Sequence, residues 1–430
     1  MRIYEVGGAV RDELLGRPIV DRDWVVVGAT PEMMVASGFR PVGNDFPVFL
    51  HPDTQEEHAL ARTERKHGTG YRGFEFFASP DVTLKEDLAR RDLTINAIAR
   101  APDGTLIDPF GGKADLERRV LRHVSPAFAE DPLRVLRVAR FAARFGFEVA
   151  PETATLMRDI VDSGELATLS PERVWRELAT GLMEAAPSRM LAVLRECGAL
   201  VALMPEVDAL FGVATSASDI NAAGAHVAMA LDYAARNERE LPVRYAVLAQ
   251  DLGMASLAAG TPRRSGYERT ALRLANGLSA RLRVPIDCRD AAHLAARFHR
   301  SVHHAAQLRP SRLLDLIVAC DAMRRPQRLA WVAHAAEAEA GSLPGAADDY
   351  PQSAILFAAL DVVRAVDAGS LARDTIAQRK SRRDDSGEPG EADEIKFAVR
   401  RARLGALARW KRERRNAQPP LSVAPPSDTR

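Results

Sequence analysis

Cysteine is scarce in this chain: Cys197, Cys288 and Cys320 are the only three among 430 residues. They lie far apart without metal-ligand spacing, which excludes a disulfide scaffold and a cysteine-ligated zinc knuckle. They read as buried thiols in a reducing compartment. Aromatic residues make up only 6%. An excess of one charge is also missing, since 59 basic and 58 acidic side chains leave a formal net charge of +1. The net charge therefore gives no global sign of nucleic-acid binding, and any RNA contact must rest on local arginine clusters. No apolar run is long enough to span a bilayer, and the N-terminus lacks a signal-peptide core. These absences point to a cytoplasmic protein without a membrane partner. What is present, 47% hydrophobic and 27% charged residues, suits a helix-rich globular chain of roughly two to four modules.

Asp21-Arg22-Asp23, set between Gly7-Gly8 and the apolar run Trp24-Val25-Val26-Val27, carries the most information. On an extended strand alternate side chains share a face, so Asp21 and Asp23 point the same way. Two carboxylates so placed form a hard-oxygen site suited to Mg²⁺. Upstream, Ile3 to Val6 reads as a strand, and Gly7-Gly8 turns into a helix from Ala9 to Leu15 that Gly16 and Pro18 stop. Backbone N–H groups around Gly8 are available to phosphate at that helix start, and Arg11 adds a cation within reach of a triphosphate. A Gly-Gly turn or a D-x-D alone is commonplace. Their order and close spacing suggest nucleotidyl transfer from a nucleoside triphosphate.

Further clusters extend this reading. In Glu86 to Ala97, Arg91 is placed to pair with triphosphate oxygens and Asp92 to orient it; the alternative is an ordinary acidic first helical turn. Asp131-Pro132 starts a helix on which Arg134, Arg137, Arg140 and Arg144 form one stripe opposite Val135, Ala139 and Ala142. Like charges without interspersed acids point to an anionic partner. Asp131 and Arg134 offer acceptors and donors suited to the Watson–Crick edge of a base, or else a cap and a surface ion pair. Asp108 to Gly112 is a turn that serves as a hinge or closes a hairpin. Ala61 to Lys66, followed by Gly68, Gly70 and Gly73, reads as a mobile basic loop. Glu57, on a neighbouring strand, is a candidate for a third carboxylate.

Taken together, the segments VGGAVRD, DRDWVVVG, FPVFLHP, ALARTERK, DLARRDLTINA, IDPFGGKADL, LRHVSPAFAEDPLRVLRVARFAARF and SPERVWREL resemble the bacterial class II tRNA nucleotidyltransferases, the CCA-adding enzymes. The resemblance is strong through the first half of the chain and thinner toward Arg414. It implies an α+β protein: a polymerase-β-like nucleotidyltransferase head with a small mixed sheet, then an extended all-helical neck, body and tail. The expected limits are 1–122 for the head, 123–212 for the neck, 213–345 for the body and 346–415 for the tail, with 416–430 disordered. It further implies that Asp21 and Asp23 bind Mg²⁺ and that Gly8, Arg11, Arg91, Arg137 and Arg140 contact CTP or ATP. Asp131 and Arg134 would select the base, and the 3′ end and acceptor region of tRNA would be the partner. Full CCA addition is expected. A-adding or CC-adding partial enzymes, poly(A) polymerases and a non-catalytic RNA-binding protein are the alternatives.

The second half departs from one branch of these relatives. Some carry an HD-type metal phosphohydrolase domain, whose signature needs a His-Asp doublet and further histidines. Here Gln250-Asp251 stands at the doublet, and Arg263 to Tyr267 occupies a stretch rich in histidine elsewhere. His226 and Asp251 are possible remnants, while His299, His303 and His304 read as helix-surface or partly buried residues. Loss of phosphohydrolase activity is expected, since glutamine is a poor ligand for a transition metal. Finally, Ile395 to Arg414 reads as a basic helix after a charged loop from Lys380 to Glu394.

Overall fold

The computed structural model describes residues 1–42, 48–66, 74–213, 223–256, 267–343, 345, 350–381 and 390–417. The chain opens with β1 (Arg2–Val6), α1 (Gly8–Leu14), β2 (Asp23–Val27), α2 (Pro31–Ala36), β3 (Arg40–Val42), β4 (Val48–Leu50) and β5 (Glu57–Leu60). It continues through β6 (Arg62–Lys66), β7 (Phe74–Ala78), α3 (Leu84–Ala89), β8 (Ala99–Arg100), β9 (Leu106–Ile107), α4 (Gly112–Arg118) and β10 (Val120–Leu121). The sheet order is β3-β4-β5-β2-β1-β8-β9, and only the β2–β5 pair is parallel.

The Val25-Val26-Val27 run makes β2 a central strand buried on both faces. Val25 and Val27 pack with Tyr4, Val6 and Leu88, whereas Val26 packs with Met34, Phe39 and Phe49 on the other side. Alternation along the strand produces that division. It also fixes the functional edge, because β2 begins at Asp23, opposite Val6 of β1 and Glu57 of β5.

After the head come α5 (Leu133–Phe145), β11 (Glu148–Val149), α6 (Pro151–Asp162) and α7 (Pro171–Met183). The remaining helices are α8 (Pro187–Glu196), α9 (Ala199–Leu203), α10 (Pro205–Asp208), α11 (Ala223–Arg236), α12 (Leu241–Ala249), α13 (Tyr267–Arg281), α14 (Ile286–His303), α15 (Pro310–Ala319), α16 (Gln327–Gly341), α17 (Pro351–Arg364), α18 (Ala368–Ser381) and α19 (Glu391–Ala417). No helix of the described residues is long and apolar enough to cross a membrane. One apolar cluster runs from Val10 of α1 through Val135, Leu136 and Val138 of α5 to Val243, Leu278 and Ala338. A second cluster joins α15, α16 and α17 and receives Leu407 of α19. Each fully buried leucine there contributes about 1.5–3 kcal/mol relative to exposure.

Two expectations are corrected here. Arg62 to Lys66 is not a loop but strand β6, paired antiparallel with β7 as a two-stranded ribbon. The period-two backbone pairing overrides the basic composition. Gly68, Gly70 and Gly73 lie outside the described residues. The C-terminal basic helix is longer than its charge pattern suggested, 27 residues from Glu391 to Ala417, with Glu391, Asp393 and Glu394 in its first turn, where acids favour the dipole. The expected boundary at Thr215 to Ser218, most of the charged loop and the tail beyond Ala417 lie outside the described residues.

Candidate active site

Gly7 enters α1 with φ +73°. A Cβ there would also lie 2.8 Å from Arg91 Nη1, so both backbone angle and space favour glycine. This turn brings Gly7 and Gly8 to the floor of a cleft of about 650 Å³ between head and neck. Of the residues expected at the site, Gly8, Arg11, Asp23, Arg91, Asp131, Arg134, Arg137 and Arg140 all line it. Asp21 does not. It is exposed, two residues ahead of β2, and lines an adjoining cavity of about 620 Å³ with Asp23, Glu56 and Glu57. Asp23 and Glu57 border both spaces and are register partners in the parallel ladder, so their side chains leave the sheet on one face.

The cleft wall carries nine arginines and four carboxylates, a field suited to polyphosphate. Arg137 donates from Nε to Asp92 Oδ2 at 2.8 Å, while Asp92 Oδ1 accepts from Leu93 N–H (2.8 Å) and Asn96 Nδ2 (2.9 Å). Burial alone would raise the Asp92 carboxyl. The Arg137 charge and these hydrogen bonds outweigh it and hold the group far below the usual carboxylate range. Asp92 in turn raises Arg137. The expectation that Asp92 orients Arg91 is thus corrected: Asp92 orients Arg137. Arg91 instead meets Asp87 Oδ2 and Asn96 O, both at 3.4 Å, and its buried Nε has no hydrogen-bond partner among the described residues.

The arginine stripe of α5 looked uncompensated in sequence because its acids come from other elements. Arg140 donates to Glu177 Oε2 of α7 at 2.6 Å, Arg137 approaches Glu177 Oε1 at 3.6 Å, and Arg144 reaches Asp12 of α1 at 2.9 Å. Phe141 lies among them, with the guanidinium carbons of Arg140, Arg11 and Arg137 at 4.4, 5.3 and 5.6 Å from its ring centre. Arg11 is buried, paired with Asp12 and hydrogen-bonded to Asn96; desolvation lowers its pKa. Its polar partners are both in the head, and its guanidinium reaches the neck through the Phe141 and Phe145 rings of α5 while lining the cleft. Asp131 does not pair with Arg134. Its Oδ1 accepts from Leu133 N–H (3.1 Å) and its Oδ2 from Arg173 (2.9 Å), while Arg134 donates to the carbonyls of Ala127 (2.7 Å) and Arg90 (2.6 Å). Asp108 caps α4 through Gly112 N–H and Lys113 N–H, at 2.8 and 2.9 Å. Any Cβ at Gly112 would collide with Thr94 O, so this turn is a tightly packed helix start.

Residues 3–122 match the Poly A polymerase head domain family, and residues 146–211 match the family described as the probable RNA and SrmB-binding site of polymerase A. The head alone leaves the branch open. Across almost the whole chain, however, it is 54% identical to the Multifunctional CCA protein of Burkholderia mallei, over 420 residues covering 95% of this chain and 98% of that one. This chain belongs to the bacterial class II CCA-adding family. It is a nucleotidyltransferase. A second relative, the Multifunctional CCA protein of Burkholderia vietnamiensis, is 55% identical over 419 residues, again 95% of this chain and 98% of that protein. Among solved structures, the Bacillus stearothermophilus CCA-adding enzyme in complex with CTP aligns with TM-score 0.65 at 26% identity, covering 96% of this chain and 93% of that one. The Thermotoga maritima CCA-adding enzyme complexed with tRNA shares the fold at 20% identity and TM-score 0.57, covering 95% and 91%.

In this family member a second polar cluster lies in the helical body. Asp251, His299 and Glu339 are buried and present ligand atoms within 4.8 Å of one another, the only such trio among the described residues. His299 is 1% exposed, so it is a core residue and not a surface one, and Glu339 carried no signal in the sequence. His299 Nδ1–H donates to Ala295 O at 2.8 Å, leaving Nε2 to meet the Tyr267 hydroxyl (3.0 Å) and Asp251 (3.5 Å). Glu339 Oε2 is met at 3.1 Å by both Gln250 Nε2 and His303 Nε2, and His303 Nδ1 meets Tyr350 at 2.8 Å. His226 Nε2 donates to Glu339 O at 3.1 Å, and His304 is exposed. The Glu339 carboxylate and the His299 ring are thus tied to neighbouring side chains.

Proposed function

We propose that this enzyme builds and repairs the 3′-terminal CCA of tRNA from CTP and ATP, with its own side chains selecting the base. The observation that carries the proposal is one cleft that holds Asp23 and Glu57 at its sheet edge, Arg91 and Gly8 at its floor, and Asp131 with Arg134 on its helical wall. An ionised carboxylate accepts from the exocyclic amine shared by cytosine and adenine, and a guanidinium donates to the neighbouring ring nitrogen or oxygen. The tRNA 3′-oxygen would form the new bond to the α-phosphorus as the bond to the β-phosphate oxygen breaks. Pyrophosphate would leave with that electron pair toward Arg91, Arg137 and Arg140, and the hydroxyl proton would pass to solvent.

Asp21 and Asp23 supply hard oxygen donors, so the residues present fit Mg²⁺. Glu57, register partner of Asp23, is the third carboxylate we assign. Bound there, the cation would supply Lewis-acid activation of the hydroxyl and neutralise phosphate charge. The limits 1–122, 123–212, 213–345 and 346–415 and a cytoplasmic location complete the reading. The test is incorporation of labelled CTP and ATP into tRNA ending at its discriminator base, beside Asp21→Ala. ATP supplied alone to tRNA ending in CC, and CTP alone to tRNA lacking all three nucleotides, separates full from partial adders. Absence of incorporation by the unaltered enzyme would leave only an RNA-binding role.

The body is proposed to hold tRNA without phosphohydrolase activity. Gln250 at the doublet position and Tyr267 against His299 support this, because both spend polar groups on the internal network. Nickel-stimulated release of phosphate by the purified protein would overturn it.

A further inference from the structure

Helix α7 presents Arg173 and Glu177 one turn apart, hence on one face. Arg173 reaches Asp131 just ahead of α5, and Glu177 reaches Arg140 and Arg137 further along it. The charges on the two elements are complementary in order, which fixes the rotation and register of α5 against α7. Ser170 caps α7 by accepting from Arg173 N–H, so the arginine leaves from the first, firmly held turn. Trp175, edge-on to Tyr245 at 5.3 Å, anchors the same helix to α12. The consequence falls on Asp131. Both of its oxygens are engaged, one by Leu133 N–H and the other by Arg173, so its carboxylate plane is fixed where it faces the cleft.

We infer that Arg173 is a specificity-determining positioning residue, which holds Asp131 in the orientation that accepts from a base amine and rejects a base carbonyl. The inference rests on Asp131 selecting the base. Cytosine and adenine carry an amine where uracil and guanine carry an oxygen. A fixed acceptor facing that oxygen is left unpaired and repelled, which is the strongest form of discrimination available to a polar pocket. Without Arg173, Asp131 keeps only the Leu133 bond and its carboxylate turns about its terminal torsion, which is broad and roughly two-fold. The penalty against uracil then falls, while the phosphate-binding arginines stay in place.

The experiment measures single-nucleotide addition of CTP and of UTP to tRNA ending at its discriminator base. The unaltered enzyme is compared with Arg173→Met, Arg173→Lys and Asp131→Ala. For Arg173→Met the expected result is a CTP-to-UTP ratio of kcat/KM reduced by about tenfold or more, the size of one charged hydrogen bond. CTP kcat should stay within about threefold, with the loss for CTP appearing as a higher KM. Arg173→Lys, which keeps the charge but loses the planar fork, should be intermediate. If Arg173→Met melts early, the lysine variant alone decides by the same ratio. An unchanged ratio, or equal losses in CTP and UTP kcat, overturns the inference. Asp131→Ala keeps the two failures apart: if it discriminates as well as the unaltered enzyme, base selection by Asp131 fails; if it loses discrimination while Arg173→Met retains it, only the role of Arg173 fails.

Discussion

Asp92 and Arg137, 45 residues apart in the chain, show how the site is organised at the scale of single residues. The carboxylate is buried and its guanidinium partner about one-third exposed, so solvent screens part of the attraction. Asp92→Asn should cost about 1.5–3 kcal/mol in urea denaturation, the range for a hydrogen bond to a charged group. It should also raise KM for CTP, because Arg137 is then released from its position. Asp21→Ala and Asp23→Ala should behave differently. Both side chains are exposed, so melting should not move, while incorporation should drop more than about 100-fold, beyond the loss typical of residues that merely support a metal ligand.

Among the elements, the turn into α1 is the most sensitive. Gly7→Ala would need a backbone at φ +73° and ψ −127°, a region open essentially to glycine alone and costing about 1–3 kcal/mol, and would push Arg91 Nη1 out of its present place. Nucleotide KM should rise more than kcat falls in steady-state assays. Helix α19 makes the opposite point. It reads in sequence as a basic helix, yet Leu407 is fully buried in the second apolar cluster with Leu404 and Trp410 against it. Leu407→Ala should therefore destabilise by about 2–5 kcal/mol in denaturant titration. Strand–helix–strand order around Asp23 was legible from the Gly-Gly turn and the valine run. Strand β6 was not legible, because its partner β7 sets it and residue composition does not encode that pairing.

For the whole molecule, burial lowers the pKa of His58, His123, His293 and His334, and the largest of these effects lies far from the cleft. His334 on α16 meets the Phe357 ring of α17 edge-on, at 6.0 Å. Burial, aided by the Arg239 charge, lowers its pKa to about 4. An unfolded histidine near 6.5 binds its proton first, so the contribution of His334 is full above about pH 6.5 and is lost as pH falls toward 4. His334→Leu should reduce the dependence of unfolding free energy on pH across that window, leaving the part due to His58, His123 and His293. Asp87 and Asp92, both lowered by neighbouring arginines against the opposing effect of burial, add a further loss only below the ordinary aspartate range near about 3.9.

The sequence alone determined the kinds of chemistry available: hard acidic donors after a glycine turn, an arginine stripe on a helix started by Asp131-Pro132, and neither a cysteine cluster nor an excess of charge to support other classes. Those properties are local, since alternation, capping and helical periodicity act over a few residues. Only the tertiary structure decided the pairing of charges. Asp92 took Arg137, Glu177 took Arg140, and Arg173 took Asp131. Ion pairs form between whichever groups the packed cores bring within about 4 Å, and chain separation carries no record of that distance. The same reason hid Glu339 beside Asp251 and His299, where α14 and α16 close on the end of α12.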